Sequence, residues 1–580
     1  MLDLAVLGAE VIDGTGAARF RADVGVRDGH VVAIGTVDED ATETVEAGGL
    51  VVAPGFVDLH THYDAQLFWD PMVTPSSLHG VTTVVGGNCG LTLAPAAPAD
   101  RDFLTRLLAN VESIPEAALA AGLAYSWETY PEFLDVVEAT PLGLNIGFMV
   151  GHSAIRRAVM GDDASSSEAS DEQLEQMCAL LSEAIAAGGL GFSTANAATQ
   201  VDGDGRPTPP NFATRAEFLA LAAVCGRHPG TAIEFIPDSF IRGFSDDDVE
   251  LLADMSTAAD RALNWNTPLI NRASPDLHER QLAATDRARE RGGWLVPMFS
   301  PQNTQLQHDF LRGYVFRAIP GWAWLFDLDV DARIRALEDP EVRAQLERSI
   351  NEPTAGLAVV VRNWANYWVN EVNDPALQSL VGRRIADLSS EWGVSPFDAV
   401  LRVAVMARLD VGFTRTSYQQ DDDWAWQARL SVLKDPRVLL QASDAGAHLD
   451  MMANADFPTR CIAELVRERG VFGLEELVHH FTDRPARLYG LKGRGRVEVG
   501  GWADLIVFDP ETVGAGSLHT EADLPGGAVR LTTSPVGMHH VIVGGGVVVR
   551  DGAPTGALTG RLVRSGRDTT TVPASKGRLD

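Results

Sequence analysis

The chain has 580 residues, of which 45% are hydrophobic and 22% charged, a composition typical of a large globular protein with a substantial core. A formal net charge of -32 at pH 7 argues against nucleic acid or an anionic membrane as a partner. Four cysteines without Cys-x-x-Cys spacing exclude a disulfide framework, and the absence of a signal-like N-terminus or a long apolar segment predicts a cytoplasmic protein.

Both ends of the chain show short strand-like patterns separated by turn signals. Residues 3–52 alternate apolar and polar side chains around Asp-Gly turns at 13–14 and 28–29, which predicts an antiparallel sheet. A matching pattern returns at 501–509 and 540–545. We therefore predict a small β-sandwich domain formed by residues 1–54 and 495–560, followed by a loose tail at 561–580.

Between these ends, apolar strand-like runs alternate with helical stretches. This alternation is typical of βα units that build a parallel sheet, and with the strand before His60 it supplies eight strands. We predict an α/β fold with a (β/α)8 TIM-like barrel over 55–494, in which catalytic groups lie at the C-terminal ends of strands. The other predicted strands are 80–85, 144–150, 189–193, 232–236, 262–269, 294–299 and 438–443, and predicted helices include 171–187 and 215–225.

Residues 302–437 are too many for a simple barrel connection, so we predict an insertion there. This segment contains seven of the twelve tryptophans. One interpretation is that these side chains form the insertion's own core. The other is that some of them line an aromatic cap that receives an apolar part of a substrate.

The first predicted barrel strand ends in a pair of histidines. Residues 50–54 form an apolar run that Pro54 and Gly55 interrupt. On an extended segment, residues two apart point the same way, so His60 and His62 present two imidazoles to one side. Two neutral imidazoles suit zinc or a similar divalent metal. Two hydrogen-bonded structural histidines are the alternative.

Other predicted strands end in further candidate ligands. Asp444 follows the strand 438–443, where a carboxylate can ligate a metal and accept a proton from its bound water. A simple helix cap is the alternative for this residue. Cys89 lies in a Gly-rich turn after the strand 80–85, where it is either a buried structural cysteine or a thiolate ligand.

Four more residues are candidates for contact with a substrate. His152 and Arg156 follow the strand 144–150, where an imidazole can donate to an oxyanion and a guanidinium can bind a carboxylate. A capping histidine and a surface arginine are the alternatives. Tyr63 could polarise a carbonyl, and His448, about one turn beyond Asp444, could orient that aspartate or contact the substrate.

The motif Pro-Gly-Phe-Val-Asp-Leu-His-Thr-His at 54–62 closely resembles the first-strand signature of the metal-dependent amidohydrolase superfamily. Tyr-Asp-Ala-Gln at 63–66 and Gly-Gly-Asn-Cys-Gly at 86–90 resemble its N-acyl-D-amino-acid deacylase (D-aminoacylase) branch, and the resemblance extends from about residue 3 to about residue 560. It implies the barrel with a split small domain, Cys89 as a metal ligand and Asp444 as the last-strand aspartate. The expected cofactor is one or two divalent metal ions, with Zn favoured over Mn or Fe.

The sequence departs from this family in its fifth and sixth strands. The family supplies a histidine ligand from each, whereas Glu234 and Asn266 (or Asn264) occupy these places here. No lysine precedes Lys434, so a carboxylated lysine and the family's substrate-carboxylate lysine are both missing. Glu234 therefore replaces a histidine as an oxygen ligand, or one metal is held by His60, His62 and Asp444 with or without Cys89, or hydrolysis is lost.

We therefore predict a metal-dependent amidohydrolase that cleaves an amide C–N bond of a small, partly apolar substrate through metal-activated water, with Asp444 as the base. Opening of a cyclic amide or imide, or C–C bond cleavage with the metal as Lewis acid, is the enzymatic alternative. A non-catalytic binding protein on a decayed barrel is the alternative from another class. The expected partner is a small-molecule substrate, and a homo-oligomer is compatible with a barrel of this size.

Overall fold

A computed structural model of the chain describes residues 1–197, 199–304, 306–317, 319–351, 361–415 and 422–579. Parts of the predicted insertion (305, 318, 352–360 and 416–421) and residue 580 of the predicted tail lie outside the described residues. The strands, in chain order, are β1 (Leu2–Val11), β2 (Phe20–Arg27), β3 (His30–Gly35), β4 (Ala41–Glu46), β5 (Val51–Pro54), β6 (Phe56–Asp58), β7 (Val81–Gly86), β8 (Asn145–Phe148), β9 (Val150–Gly151), β10 (Gly191–Ala195), β11 (Ala232–Ile236), β12 (Leu263–Asn266), β13 (Leu295–Phe299), β14 (Gln307–His308), β15 (Tyr367–Val372), β16 (Val411–Arg415), β17 (Leu439–Leu440), β18 (Leu505–Phe508), β19 (Gly514–Ala515), β20 (His519–Glu521), β21 (Arg530–Thr532), β22 (Pro535–Val536), β23 (Met538–Val543), β24 (Gly546–Arg550) and β25 (Ala553–Pro554).

The helices match the predicted alternation with strands. The predicted helix 171–187 corresponds to Asp171–Ala186, which begins at a capping box between Ser170 and Gln173. The α-helices are Arg101–Val111, Glu116–Gly122, Tyr130–Ala139, His152–Met160, Asp171–Ala186, Arg215–Gly226, Asp246–Ala259, Leu277–Glu290, Tyr314–Arg317, Ala323–Phe326, Val330–Glu338, Pro340–Ile350, Ile385–Trp392, Pro396–Met406, Asp423–Leu433, Phe457–Cys461, Leu474–Phe481 and Asp483–Leu488, and Ile462–Glu468 is a π-helix.

Two groups of parallel strands form the centre of the molecule. Strands β6, β7 and β8 pair in that order, and β9, β10, β11, β12, β13 and β17 form a six-stranded parallel sheet. Helices Arg215–Gly226 and Asp246–Ala259 pack on β10 to β13, which explains why β10, β11 and β13 are buried along their whole length. The prediction of a strand at 232–236 is confirmed by β11.

Contacts at the margins bring the first and last of these strands together. Met149, between β8 and β9, donates its N–H to the carbonyl oxygen of Gly86 at 3.0 Å. Thr61, beyond β6, forms a parallel bridge with Ala445, beyond β17. Closure of the barrel stays a prediction. Apolar side chains from both sheets share one buried cluster, which includes Val57, Leu59, Val85, Met149, Leu190, Val296, Met298 and Leu439.

The two ends of the chain share a nine-stranded sheet with the order β25-β24-β23-β18-β5-β1-β2-β3, in which β4 also pairs with β1. The turn at Asp28 and Gly29 joins β2 and β3 with positive φ at both residues, as a two-residue hairpin requires. The prediction that 3–52 is antiparallel is wrong in part, because β1 runs parallel to β4 and β5. The β-sandwich stays a prediction.

The insertion has its own apolar core. Strands β14, β16 and β15 form a three-stranded antiparallel sheet within it. Trp322 and Trp364 are buried in this core, whereas Trp324 and Trp368 are each 38% exposed. The core interpretation therefore holds for Trp322 and Trp364. No helix in the described part of the chain is long and apolar enough to cross a lipid bilayer.

The predicted loose tail at 561–580 is wrong for residues 561–579. Leu562 and Val563 are buried, and Leu562 forms a parallel bridge with Ile146 in β8. Arg564 and Arg567 both form ion pairs with Glu138. The segment lacks a periodic pattern, and its order depends on these long-range partners.

Candidate metal centre

The two histidines after β6 converge as the sequence predicts. His60 and His62 are each 1% exposed, and their Nε2 atoms lie 3.3 and 3.2 Å from the same oxygen, Asp444 Oδ1. Cys89 Sγ lies 3.4 Å from His60 Nε2 and 3.7 Å from His62 Nε2. The structure therefore brings these four residues, which come from three separate strand ends, into one group.

The loop after β17 holds Asp444 against the histidine segment. Asp444 has a positive φ of 62°, and its N–H donates to the carbonyl oxygen of His60 at 3.2 Å. His62 donates its backbone N–H to Ala445 in return. Gly446, also at positive φ, has no room for a side chain, because a Cβ there would lie 2.7 Å from the His62 carbonyl carbon. The side chain of Asp444 remains 34% exposed, so this carboxylate is open to solvent.

Glu234 and Asn266 lie on the His60 side of the group. Glu234 is fully buried on β11; its Oε2 accepts the N–H of Cys89 at 3.1 Å, and its Oε1 has no hydrogen-bond partner. The Asn266 side-chain nitrogen lies 2.7 Å from His60 Nδ1. Asn264 instead accepts a hydrogen bond from Tyr489. Of the two asparagines, Asn266 is therefore the one beside His60.

Glu112 is a buried carboxylate at this centre that the sequence did not indicate. It follows helix Arg101–Val111 in the connection between β7 and β8, and its Oε2 lies 3.5 Å from His62 Nε2. The same residue accepts the backbone N–H of His448, while Ser113 Oγ lies 2.9 Å from His448 Nδ1. A glutamate at a helix end normally faces solvent, so no local signal marks this position.

Charge is unevenly compensated in this centre. Burial raises the pKa values of Asp58, Asp64 and Glu234 to about 7 and raises that of the Cys89 thiol well above its usual range. Burial would also raise the pKa of Asp444, but hydrogen bonds and charges from the two histidines outweigh it and hold this pKa well below its usual range. In the described parts of the chain, no lysine or arginine forms an ion pair with these carboxylates. A divalent cation would supply the missing positive charge.

The donor atoms are spaced as the ligands of a metal ion are. Metal–ligand bonds of about 2.0–2.3 Å place neighbouring ligands of a tetrahedral zinc roughly 3.3–3.6 Å apart. The contacts of Asp444 and Cys89 with the two imidazoles range from 3.2 to 3.7 Å. His60, His62 and Cys89 alone form a metal-type cluster whose donor atoms all lie within 4.8 Å of one another. The residues present therefore fit a divalent metal.

Two of the predicted substrate contacts are engaged elsewhere. His152 and Arg156 are fully buried, and both bind Glu217: His152 Nε2 lies 2.7 Å from its Oε1, and Arg156 donates to both of its oxygens. His152 Nδ1 contacts Thr194, and Arg156 also donates to backbone carbonyls. These contacts hold both side chains inside the fold, and they do not favour a role in substrate binding.

Tyr63 and His448 lie closer to Asp444. The Tyr63 hydroxyl is hydrogen-bonded to Ser76 Oγ at 2.6 Å, and burial raises the pKa of this phenol far above its usual value. Tyr63 and Asp444 line one narrow cavity, together with Gln66 and Arg530. Burial lowers the pKa of His448, which favours a neutral imidazole held by Ser113. Substrate contact by either residue stays a prediction.

The chain is similar to known proteins over most of its length. Residues 43–549 match the model of the amidohydrolase family. The chain is 30% identical over 567 residues to the D-aminoacylase of Alcaligenes xylosoxydans xylosoxydans, with 97% of each protein covered. It is 28% identical over 575 residues to the N-acyl-D-glutamate deacylase of the same organism, covering 97% of this chain and 96% of that protein.

A solved structure has a similar fold over the full length. The N-acyl-D-glutamate deacylase from Bordetella bronchiseptica, complexed with zinc and a phosphonate inhibitor that mimics the tetrahedral intermediate, is 26% identical and superposes with a TM-score of 0.62. The match covers 97% of this chain and 100% of that one.

Proposed function

This chain belongs to the amidohydrolase family of C–N bond hydrolases, and from that premise we propose that it deacylates small N-acyl-D-amino acids. The observation that carries the proposal is the convergence of two buried imidazoles and a buried thiol with a carboxylate that is partly open to solvent. The names of the relatives support the substrate class, and the apolar part of the substrate would be its acyl group or its side chain. The alternative of a non-catalytic binding protein is not supported.

His60, His62, Cys89, Glu234 and Asp444 would hold the metal, with zinc favoured because the similar deacylase structure contains it. When bound, a divalent cation supplies Lewis acidity and lowers the pKa of an attacking water. Glu234 stands in β11 where the family's histidine ligand is expected, and its unpartnered Oε1 is available for this role. An oxygen ligand in place of nitrogen makes the site less selective, so Mn or Fe can also bind.

Asp444 would act as the base. Its low pKa keeps it ionised at neutral pH, and its 34% exposure leaves it accessible to water and substrate. In the proposed reaction Asp444 takes a proton from the attacking water and then delivers it to the leaving amide nitrogen as the C–N bond breaks. His448, hydrogen-bonded to Ser113, would position the loop that carries Asp444.

The fold that supports this site would be a closed (β/α)8 barrel over 55–494 with the Trp-rich insertion at about 302–437. Residues 1–54 and 495–560 would form the second domain, as a β-sandwich. The bridge between the segments that follow β6 and β17 supports closure, because a closed barrel makes its first and last strands neighbours.

An assay of N-acyl-D-amino acids, their L enantiomers and cyclic imides, combined with elemental analysis, tests this proposal. We expect hydrolysis of at least one N-acyl-D-amino acid and one or two metal ions per chain in protein purified without chelator. Glu234→Ala should lower the metal content if Glu234 is a ligand, whereas Glu175→Gln, on the exposed face of helix Asp171–Ala186, should not. Turnover of cyclic imides alone would overturn the proposed substrate, and metal-free wild type even after reloading would overturn the mechanism.

A further inference from the structure

We propose that Glu112 is an additional ligand of the metal, on the His62 side of the centre, and this inference rests on the proposed metal-dependent function. Glu112 comes from the end of a helix in a barrel connection, and not from a strand end. It therefore lies outside the set of positions that the family pattern identifies. Its carboxylate would add an oxygen ligand on the His62 side, whereas the places of the missing histidines lie on the His60 side.

The buried carboxyl of Glu112 has no lysine or arginine beside it among the described residues. The residue is 3% exposed, and in the part of the chain that the structure describes its carboxylate has one ion-pair contact, to His62. No arginine or lysine of the described residues contacts it. A carboxyl group buried in this way either takes up a proton or binds a cation, and a metal ion beside His62 would supply that cation.

The distances fit coordination better than hydrogen bonding. Glu112 Oε2 lies 3.5 Å from His62 Nε2, which is longer than an ordinary N–H···O hydrogen bond of about 2.7–3.2 Å. It is close to the roughly 3.3 Å that separates nitrogen and oxygen ligands of one tetrahedral zinc. Asp444 and Cys89 lie at comparable distances of 3.2 and 3.7 Å from the same nitrogen. His62 Nε2 thus has three donor atoms around it at ligand-to-ligand spacing.

Contacts with His448 hold the backbone around Glu112 in place, and this positions its side chain at the centre. Ser113 has a positive φ of 51°, which turns the chain sharply after the helix. The Glu112 carbonyl oxygen accepts the N–H of His448, and Ser113 Oγ contacts the His448 ring. These contacts connect the end of the helix to the loop that carries Asp444, as expected for the support of a metal ligand.

Glu112 and Glu234 would serve different parts of the centre. Glu234 contacts the backbone of Cys89 and interacts electrostatically with His60. Glu112 contacts His62. With one glutamate on each side, the centre would offer an oxygen ligand to each of two metal ions. Alternatively, one glutamate would bind the resident ion and the other would belong to a second, weaker metal site.

Zinc binding to Glu112→Gln, measured by chelator competition, tests this inference, with Glu116→Gln as the matched control. Glu116 is an exposed glutamate four residues away at the start of helix Glu116–Gly122. We expect Glu112→Gln to weaken zinc binding at one site at least tenfold and to change the visible spectrum of the cobalt-substituted protein. Glu116→Gln should leave both unchanged. Equal affinity and an equal cobalt spectrum in Glu112→Gln would overturn the inference.

Thermal unfolding separates a ligand from a merely structural residue. In metal-free protein, Glu112→Gln should unfold at the wild-type temperature or above it, because an amide removes an uncompensated buried charge. The same variant should gain less from added zinc than the wild type does. A lower metal-free unfolding temperature with an undiminished gain from zinc would make Glu112 structural and overturn the inference. If the wild type binds no zinc, the proposed function is overturned as well. If the wild type binds zinc and the Glu112→Gln variant binds it equally well, only the assignment of Glu112 is overturned.

Discussion

Two groups of buried carboxylates in this molecule have opposite charge environments. Glu217, 1% exposed, is paired with Arg156 and His152. The carboxylates at the metal centre face imidazoles and a thiol, and no arginine or lysine of the described residues pairs with them. Both groups include fully or almost fully buried glutamates, so burial does not distinguish them, but their partners do.

The pKa values of Glu217 and of Glu234 at the metal centre shift in opposite directions. Burial would raise the pKa of Glu217, but the hydrogen bonds and charges of His152 and Arg156 outweigh it and lower this pKa. Burial raises the pKa of Glu234 to about 7, because the compensation there is weaker. A carboxylate with a permanent cation contributes to stability, whereas one without a cation needs a proton or a metal ion and so indicates a functional site.

Replacement of Asp444 is expected to have the largest effect on activity of all the substitutions considered for the two groups. Asp444→Asn should lower kcat by about 10²–10⁴-fold on an N-acyl-D-amino acid, because an amide cannot accept the proton from the attacking water. Metal content, measured on the same preparation, shows whether ligation is lost as well. Asp423→Asn, on an exposed helix start, is the control and should keep wild-type kcat. A kcat within tenfold of wild type in Asp444→Asn would remove Asp444 from the role of base.

Replacing Glu217 should affect stability and leave the metal unchanged. Glu217→Gln leaves Arg156 charged and buried without its partner, so the free energy of unfolding should fall by about 3–5 kcal/mol. Urea unfolding measures this loss, and Glu175→Gln, an exposed change, should stay within about 0.5 kcal/mol of wild type. Metal content per folded chain should equal that of wild type. Loss of metal in Glu217→Gln would place Glu217 in the functional centre and contradict the distinction between the two groups of carboxylates.

The sequence predicts the elements with strong local patterns. Strand β11 has the predicted bounds, because an apolar run buried on both faces is visible in the sequence itself. The group of His60, His62, Cys89 and Asp444 was predictable for a related reason. Each of these residues follows an apolar run, and the C-terminal ends of parallel barrel strands meet at one face.

The rest of the site depends on long-range partners that local patterns do not encode. His152 and Arg156 also follow a strand, but Glu217, sixty-one residues beyond Arg156, binds both and removes them from the centre. Glu112 appears in the sequence as an ordinary helix end, and it reaches His62 because its helix packs near the Asp444 loop. The C-terminal segment was missed for the same reason, since its order comes from contacts with Glu138 and β8.

Acidification should weaken the Glu217 group. Burial lowers the pKa of His152, so protonation of the unfolded chain below its ordinary pKa of about 6.5 favours unfolding. The lowered pKa of Glu217 acts in the same direction: its contribution is present above about 4.3 and is lost as the pH falls through the folded-state value. We expect the stability difference between wild type and Glu217→Gln to shrink as the pH falls below about 4.3 through the lowered folded-state pKa of Glu217, measured by urea unfolding. A difference that is constant with pH would show that charge does not hold this group together.

A neutral hydrogen bond at the metal centre should contribute the smallest effect. Ser113→Ala removes the contact between Ser113 Oγ and His448 Nδ1, which should cost about 0.5–1.5 kcal/mol of stability. It should lower kcat less than tenfold and leave the metal content unchanged, because Glu112 keeps its backbone contact with His448. Ser166→Ala, an exposed change, is the control. A loss of kcat as large as that of Asp444→Asn would mean that the position of the loop, and not the carboxylate alone, controls proton transfer. His448 would then belong to the catalytic machinery together with Asp444.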